Sequence, residues 1–182
     1  MARKRPQRRL RESYLIVTEG SVTEVEYFGL FQQLIRDNRA VTLKIVSGGG
    51  EPRRVLDKAM SIAGHSGKYQ HICLVMDTDQ HPTLQAVVKE AQAQGFGVFV
   101  SNPCFEIWLW WHIADHFAHV RPGELEKKLV PHLDGKSVPS TFPVESWRDS
   151  YERAKNADKQ NGEAGLNPSS RVGELLSILA ST

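Results

Sequence analysis

Apolar residues in this chain fall into two alternating patterns, short solid runs and longer stretches with helical spacing. The run YLIVT at 14–18 is apolar and β-branched at most positions, as expected of a buried strand. Glu19-Gly20-Ser21 interrupts it. Residues 22–37 then carry Val25, Phe28, Leu30, Phe31, Leu34 and Ile35 at helical spacing, with Thr23-Glu24 favouring the helix N-terminus. Residues 41–46 alternate apolar with polar and predict a second strand. Ser47-Gly48-Gly49-Gly50 forms a loop, and Glu51-Pro52 opens a helix to residue 63, because proline loses nothing in a first helical turn.

The run ICLVM at 72–76 predicts a third strand, ending at Asp77-Thr78-Asp79. Pro82 opens a helix through residue 94, and Gly95 stops it. VFV at 98–100 predicts a fourth strand. Asn102-Pro103 then cap a helix over 103–117 that is apolar nearly all round and carries Trp108, Trp110 and Trp111. Such a helix is buried or lies against a partner. Strand and helix in alternation predict parallel βαβ units with right-handed crossovers.

The pattern changes after residue 120. A short helix is expected over 122–133, a turn-rich connection over 131–143, and a helix over 144–159 with Trp147, Tyr151 and Ala154 on one face. A polar loop spans 158–168, and Ser169 or Ser170 caps a last helix over 171–179. The expected organisation is a basic, flexible arm (1–12), an α/β core (13–120) and a helical extension packed on it (121–182).

Length and composition narrow the class. The 182 residues can bury a real core. No apolar run approaches the ~20 residues that cross a bilayer. The charged N-terminus lacks the apolar stretch of a secretory signal. Cys73 and Cys104 do not make a disulfide framework, so a reducing, cytoplasmic location is expected. The net charge of +2 hides an asymmetry. Arg3, Lys4, Arg5, Arg8, Arg9 and Arg11 are six of 23 bases, leaving 17 against 21 acids in the rest, a balance of −4. The arm can contact phosphates through counterion release, or it can simply solvate the terminus.

That charge pattern directs attention to the acids. In an open parallel sheet, ligands bind beyond the carboxyl ends of the strands. Glu19 directly follows the first predicted strand, and Asp77 and Asp79 follow the third. Residues i and i+2 of an extended segment point the same way, so the two aspartates can present carboxylates to one site, with Glu19 as the third. Such a set needs a counter-charge, and hard oxygen ligands suit Mg²⁺ or Mn²⁺. The plain alternative is acids at exposed strand ends. Glu24 is open between assisting that site and favouring the helix N-terminus, and so is Glu106, the single acid of the tryptophan-rich helix. Glu26 reads as an N-terminal helix charge.

Other motifs point elsewhere. His112 and His116 are one helical turn apart with His119 beyond, but Ile113 stands where a zincin has glutamate, so packing histidines are expected. The glycine loop can cradle a phosphate, yet no lysine follows at P-loop spacing; a tight strand-to-helix turn is the expected use. Cys104 has no base beside it in sequence and reads as structural. Most of the tryptophans are expected in the core, with one open to a partner surface.

Ile16-Val17-Thr18-Glu19-Gly20, Thr23-Glu24 and Tyr27-Phe28, then Val75-Met76-Asp77-Thr78-Asp79 and Ser101-Asn102-Pro103-Cys104-Phe105-Glu106-Ile107-Trp108-Leu109, form a recognisable series. Ala154-Lys155-Asn156-Ala157 and Asn167-Pro168-Ser169-Ser170 continue it. Together these segments resemble the RloB-like family, which is Toprim-related. The resemblance implies a Toprim-like (Rossmann-like), mostly parallel sheet flanked by helices, with a helical C-terminal extension. It further implies a metal-dependent nuclease in prokaryotic defence against phage or foreign DNA, beside an ATPase of the ABC/AAA type. Glu19 matches the first Toprim glutamate, and Asp77 and Asp79 match the aspartate pair. Related Toprim nucleases often place their second glutamate one position nearer the first than Glu24 lies to Glu19, which leaves the role of Glu24 open.

Three functions stay in play. The leading expectation is phosphodiester hydrolysis of DNA or RNA (tRNA included), with Mg²⁺ or Mn²⁺ on Glu19, Asp77 and Asp79. A non-catalytic subunit docking an ATPase or nucleic acid, with a vestigial acidic site, is the second. Aspartyl phosphotransfer at Asp77 is the third, and it needs a lysine near the site. Membrane association is not expected, and self-association is open.

Overall fold

The computed structural model describes residues 11–37, 40–78, 81–161 and 165–182. Asp79 and the arm residues Arg3, Lys4, Arg5, Arg8 and Arg9 therefore lie outside the described residues. Strand β1 (Glu12–Thr18) leads into α1 (Thr23–Leu34), β2 (Val41–Ser47) into α2 (Pro52–Ser66), and β3 (His71–Asp77) into α3 (Leu84–Ala93). Strand β4 (Gly97–Asn102) precedes α4 (Glu106–Ile113) and α5 (Pro122–Leu129). A 3₁₀ turn (Val144–Ser146) runs into α6 (Trp147–Asn161), followed by β5 (Ser169–Ser170) and α7 (Val172–Ser181).

The five strands form one sheet in the order β2-β1-β3-β4-β5. The first four are parallel neighbours, and β5 runs antiparallel to β4. The sheet is Rossmann-like, with helices on both faces. Successive residues of a strand face opposite sides, and β1 and β3 show why their runs are solid. Tyr14, Ile16, Cys73 and Val75 pack under α1 and α4 to α7, whereas Leu15, Val17, Ile72, Leu74 and Met76 pack under α2 and α3. Both faces are covered, so neither strand can alternate apolar with polar.

Several boundaries differ from the sequence expectation. Helix α4 was expected over 103–117 but stops at Ile113, and Ala114 turns extended. Arg153 ends it: its guanidinium donates to the Trp111 carbonyl and pairs with Asp115 at 2.8 Å. Asn102 does not cap α4. It closes β4, and its amide donates to the Gly165 carbonyl. Helix α6 continues through residues expected to be loop. Ser169 and Ser170 form β5 instead of a simple cap, with the Ser101 and Ser170 hydroxyls 2.9 Å apart, although Ser170 Oγ still accepts from the Val172 amide. A two-residue strand has no periodicity to detect, so only the waiting edge of β4 reveals it. Among the described residues, no helix is long and apolar enough to cross a membrane.

Candidate functional site

Register brings the acids together. β1 and β3 are adjacent, with Thr18 opposite Val75, and β3 and β4 are adjacent, with Asp77 opposite Ser101. The carboxyl ends of three neighbouring strands therefore share one edge. There the chain turns from β1 over β3: Glu19 N–H donates to the Val75 carbonyl at 3.0 Å, and Glu19 Oε2 accepts from the Asp77 amide at 3.1 Å. His81 Nε2 lies 3.4 Å from Glu19 Oε1. Glu24, in the first turn of α1, folds back so that Oε1 accepts from Gly20 N–H at 2.7 Å. Glu106 opens α4 just past β4. Glu19, Glu24, Asp77 and Glu106 all line one cavity of about 520 Å³, with Gly49 and Gly50 on its rim.

The glycines beside the site have geometric reasons. A β-carbon on Gly20 would sit 1.9 Å from Glu24 Oε2, inside the space its carboxylate occupies. A β-carbon on Gly48 would sit 2.6 Å from Val55 Cα. Gly49 and Gly50 adopt φ of 98° and 88°, a region side chains disfavour. The loop is tied to the first strand by Gly48 N–H to the Thr18 carbonyl and Gly50 N–H to the Glu19 carbonyl. It serves as a strand-to-helix turn and as a wall of the cavity.

The electrostatics are those of crowded anions. Burial pushes the Asp77 carboxyl well above the usual range, and the charges of Glu24, Glu106 and Glu19 add to the push; a hydrogen bond from the Phe105 amide opposes it. Burial likewise raises Glu24, with Glu106 and Glu19 contributing. The Cys104 thiol is driven up by burial and by Glu106, and burial alone lifts Cys73 to about 12, so both are inert thiols at neutral pH.

The sequence model for RloB-like protein matches residues 14–179, nearly the whole chain and the whole of this cavity. The chain belongs to the RloB-like family. No curated protein and no solved structure matches it.

This RloB-like chain adds a residue that sequence reasoning missed. Lys136 lines the acidic cavity. It sits in the 131–143 connection, where no periodicity marks it. The connection is clamped to α1: Thr23 Oγ1 donates to the Lys136 carbonyl at 2.7 Å, and Glu26 Oε2 accepts from Ser137 Oγ at 2.8 Å and Val138 N–H at 2.7 Å. Glu26, expected only as a helix-terminal charge, is thus the anchor of a cavity wall.

The other residues singled out in the sequence lie away from the cavity, His112 and most of the tryptophans in the core as expected. Arg11 is exposed and precedes β1, at the opposite strand end from Glu19. His112 is buried among Tyr27, Trp108 and Phe142. Tyr27 Oη lies 3.0 Å from its Nε2, and its Nδ1 lies 3.0 Å from the Pro143 carbonyl. That assigns Nδ1–H as donor and Nε2 as acceptor, a neutral core histidine. Trp108, Trp111 and Trp147 are core, while Trp110 is half-buried beneath Lys128, whose Nζ is 4.9 Å from the ring centroid.

The donor set fits a hard divalent cation in chemistry: four carboxylates whose charges disfavour one another share one cavity. Among the described residues, no three His, Cys, Asp or Glu side chains already converge on a single point. A Mg²⁺ ion does not require that, since it is commonly held by one or two carboxylates with waters and substrate phosphate.

Proposed function

We propose that this protein is a Toprim-type nuclease that hydrolyses phosphodiester bonds of DNA or RNA with Mg²⁺ or Mn²⁺. The observation that carries the reading is that Glu19, Glu24, Asp77 and Glu106, from three stretches of chain, line one cavity at the carboxyl edge of the parallel sheet. Glu19 and Asp77, with Asp79, would hold the ion. A bound divalent ion supplies charge for the scissile phosphate and lowers the pKa of water. Glu24, whose proton affinity is raised by burial and by Glu106 and Glu19, is suited to take or return a proton. Lys136, on the wall of a cavity whose other charged residues are acids, would bring a positive charge to a phosphate oxygen if its ammonium turns inward. Family membership supports a role in defence against phage or foreign DNA, with an ABC/AAA-type ATPase as regulator.

The test is cleavage of DNA and of tRNA with Mn²⁺ by the native protein and by Asp77→Ala. Loss of cleavage in a folded variant is the expected result. Full activity in the purified Asp77→Ala/Asp79→Ala protein refutes it. Absence of tight Mg²⁺ or Mn²⁺ binding in titration favours the non-catalytic subunit. Lys136 in the cavity wall gives the phosphotransfer reading its one support; trapping a phosphoaspartate on Asp77 with a small phosphodonor would establish that chemistry instead.

A further inference from the structure

A second cavity, of about 410 Å³, opens beside the acidic one, and the two share Thr23, Glu106 and Lys136 as a common wall. Its character is different. Leu129, Val130 and Leu133 give it an apolar side, with Glu126 and Lys127 at its margin. Glu126, Leu129, Val130 and Leu133 fall at i, i+3, i+4 and i+7, so α5 and the turn after it present one continuous face. Leu129 is core, but Val130 is 70% exposed, an apolar side chain left uncovered at the lip. Gly135 and Lys136 complete the lining, in a segment held to α1 by the Thr23 and Glu26 hydrogen bonds. The cavity is therefore largely pre-formed, and its volume lies within the range of small-ligand sites, about 300–1,000 Å³.

An apolar recess that adjoins an anionic site, with a lysine on the shared wall, matches the layout of a nucleotide: an apolar ring system beside a phosphate. We infer that this cavity seats an unpaired nucleobase next to the phosphate held at the acidic site, so that the substrate strand is single-stranded or locally unpaired. This rests on the nuclease reading above. A base within a duplex is covered by its stacked neighbours and paired on its edge, and would have to leave the stack to enter. Val130 and Leu133, backed by the buried Leu129, offer the base a face without hydrogen-bond donors or acceptors, which reads no sequence. Glu126 and Lys127 at the margin are placed to meet a base edge or the next phosphate.

The experiment measures binding, not turnover. A labelled single strand is titrated into the full-length protein with Ca²⁺ in place of Mg²⁺ to hold cleavage off. A strand of equal length built from abasic residues keeps the phosphate charge and lacks the bases. The native protein should bind the base-bearing strand about tenfold more tightly than the abasic strand or a fully paired duplex of the same sequence. Val130→Asn, exposed and uncharged, should erase the difference between the two single strands and leave abasic-strand binding unchanged. Equal native affinity for both strands, no binding of either, or a difference that survives Val130→Asn overturns the inference. The nuclease reading is scored separately, by cleavage in the native protein against Asp77→Ala. Cleavage with no base-dependent binding would sink the pocket alone, and base-dependent binding without cleavage would sink the nuclease alone.

Discussion

Asp77 is the residue on which chemistry and stability pull apart. Its burial and its three anionic neighbours disfavour the ionised form in the folded chain, so at neutral pH the folded state carries a penalty that the unfolded state does not. Asp77→Asn removes the charge at nearly constant volume. It should abolish metal-dependent cleavage and, in metal-free buffer, raise the melting temperature by a few degrees, given ~2–4 °C per kcal/mol for a chain of this size. A variant that melts lower than the native protein without metal contradicts this account. His112 makes the opposite pH argument. Burial, with the nearby charge of Arg153, lowers its pKa from 6.5 to about 4. Between those values the unfolded chain binds a proton that the folded chain does not, so stability falls as pH drops through that window and levels off below it, by roughly 3 kcal/mol in full. Asp77 and Glu24 bias the pH dependence the other way. The difference in urea-unfolding free energy between native protein and His112→Gln, followed from pH 7 downward, isolates the histidine. A constant difference across the window would remove it as the cause.

At the scale of elements, two short connections shape the cavity. The turn between β1 and α1 leaves Gly20 without a side chain because the Glu24 carboxylate fills that volume. Gly20→Ala should displace that carboxylate and cut cleavage by roughly a hundredfold. Melting should hardly change, because the displaced atoms end a flexible side chain. The double variant with Glu24→Ala should be no worse than Glu24→Ala alone; additive losses would show that Gly20 acts through something else. The 131–143 connection depends on Glu26 in the same way. Glu26→Ala leaves Ser137 Oγ and Val138 N–H without their acceptor, which should cost about 1–3 kcal/mol in urea unfolding. Legibility was uneven at this scale. The solid runs of β1 and β3 were plain in sequence because burial on both faces suppresses alternation. The short α4 was not, because its end is set by Arg153 arriving from α6.

Across the whole molecule, the described edge bearing the acids and the end of β1 that carries Arg11 are opposite ends of a strand, about 23 Å apart for seven residues. We propose the six arm bases, five of which lie outside the described residues, for phosphate contact. Each one that neutralises a phosphate should contribute about 0.9 to the slope of log affinity against log salt. Replacing Arg3, Lys4, Arg5, Arg8, Arg9 and Arg11 by serine should flatten that slope for nucleic-acid binding; an unchanged slope would assign the phosphate contacts to the body of the protein.

The sequence by itself determined β1 to β4, the approximate places of the main helices and the placing of Glu19 and Asp77 at strand ends, because apolar periodicity and breaking residues act over a few neighbouring positions. It could name Glu24 and Glu106 only as alternatives, since a helix-terminal acid looks the same whether it faces solvent or a cavity. Tertiary structure decided which strand ends are neighbours, that Glu24 and Glu106 join them, and that Lys136 and an apolar recess stand alongside. It also made a two-residue strand of Ser169 and Ser170. These depend on contacts between residues far apart in the chain, where register and packing choose the partner and no local pattern records the choice.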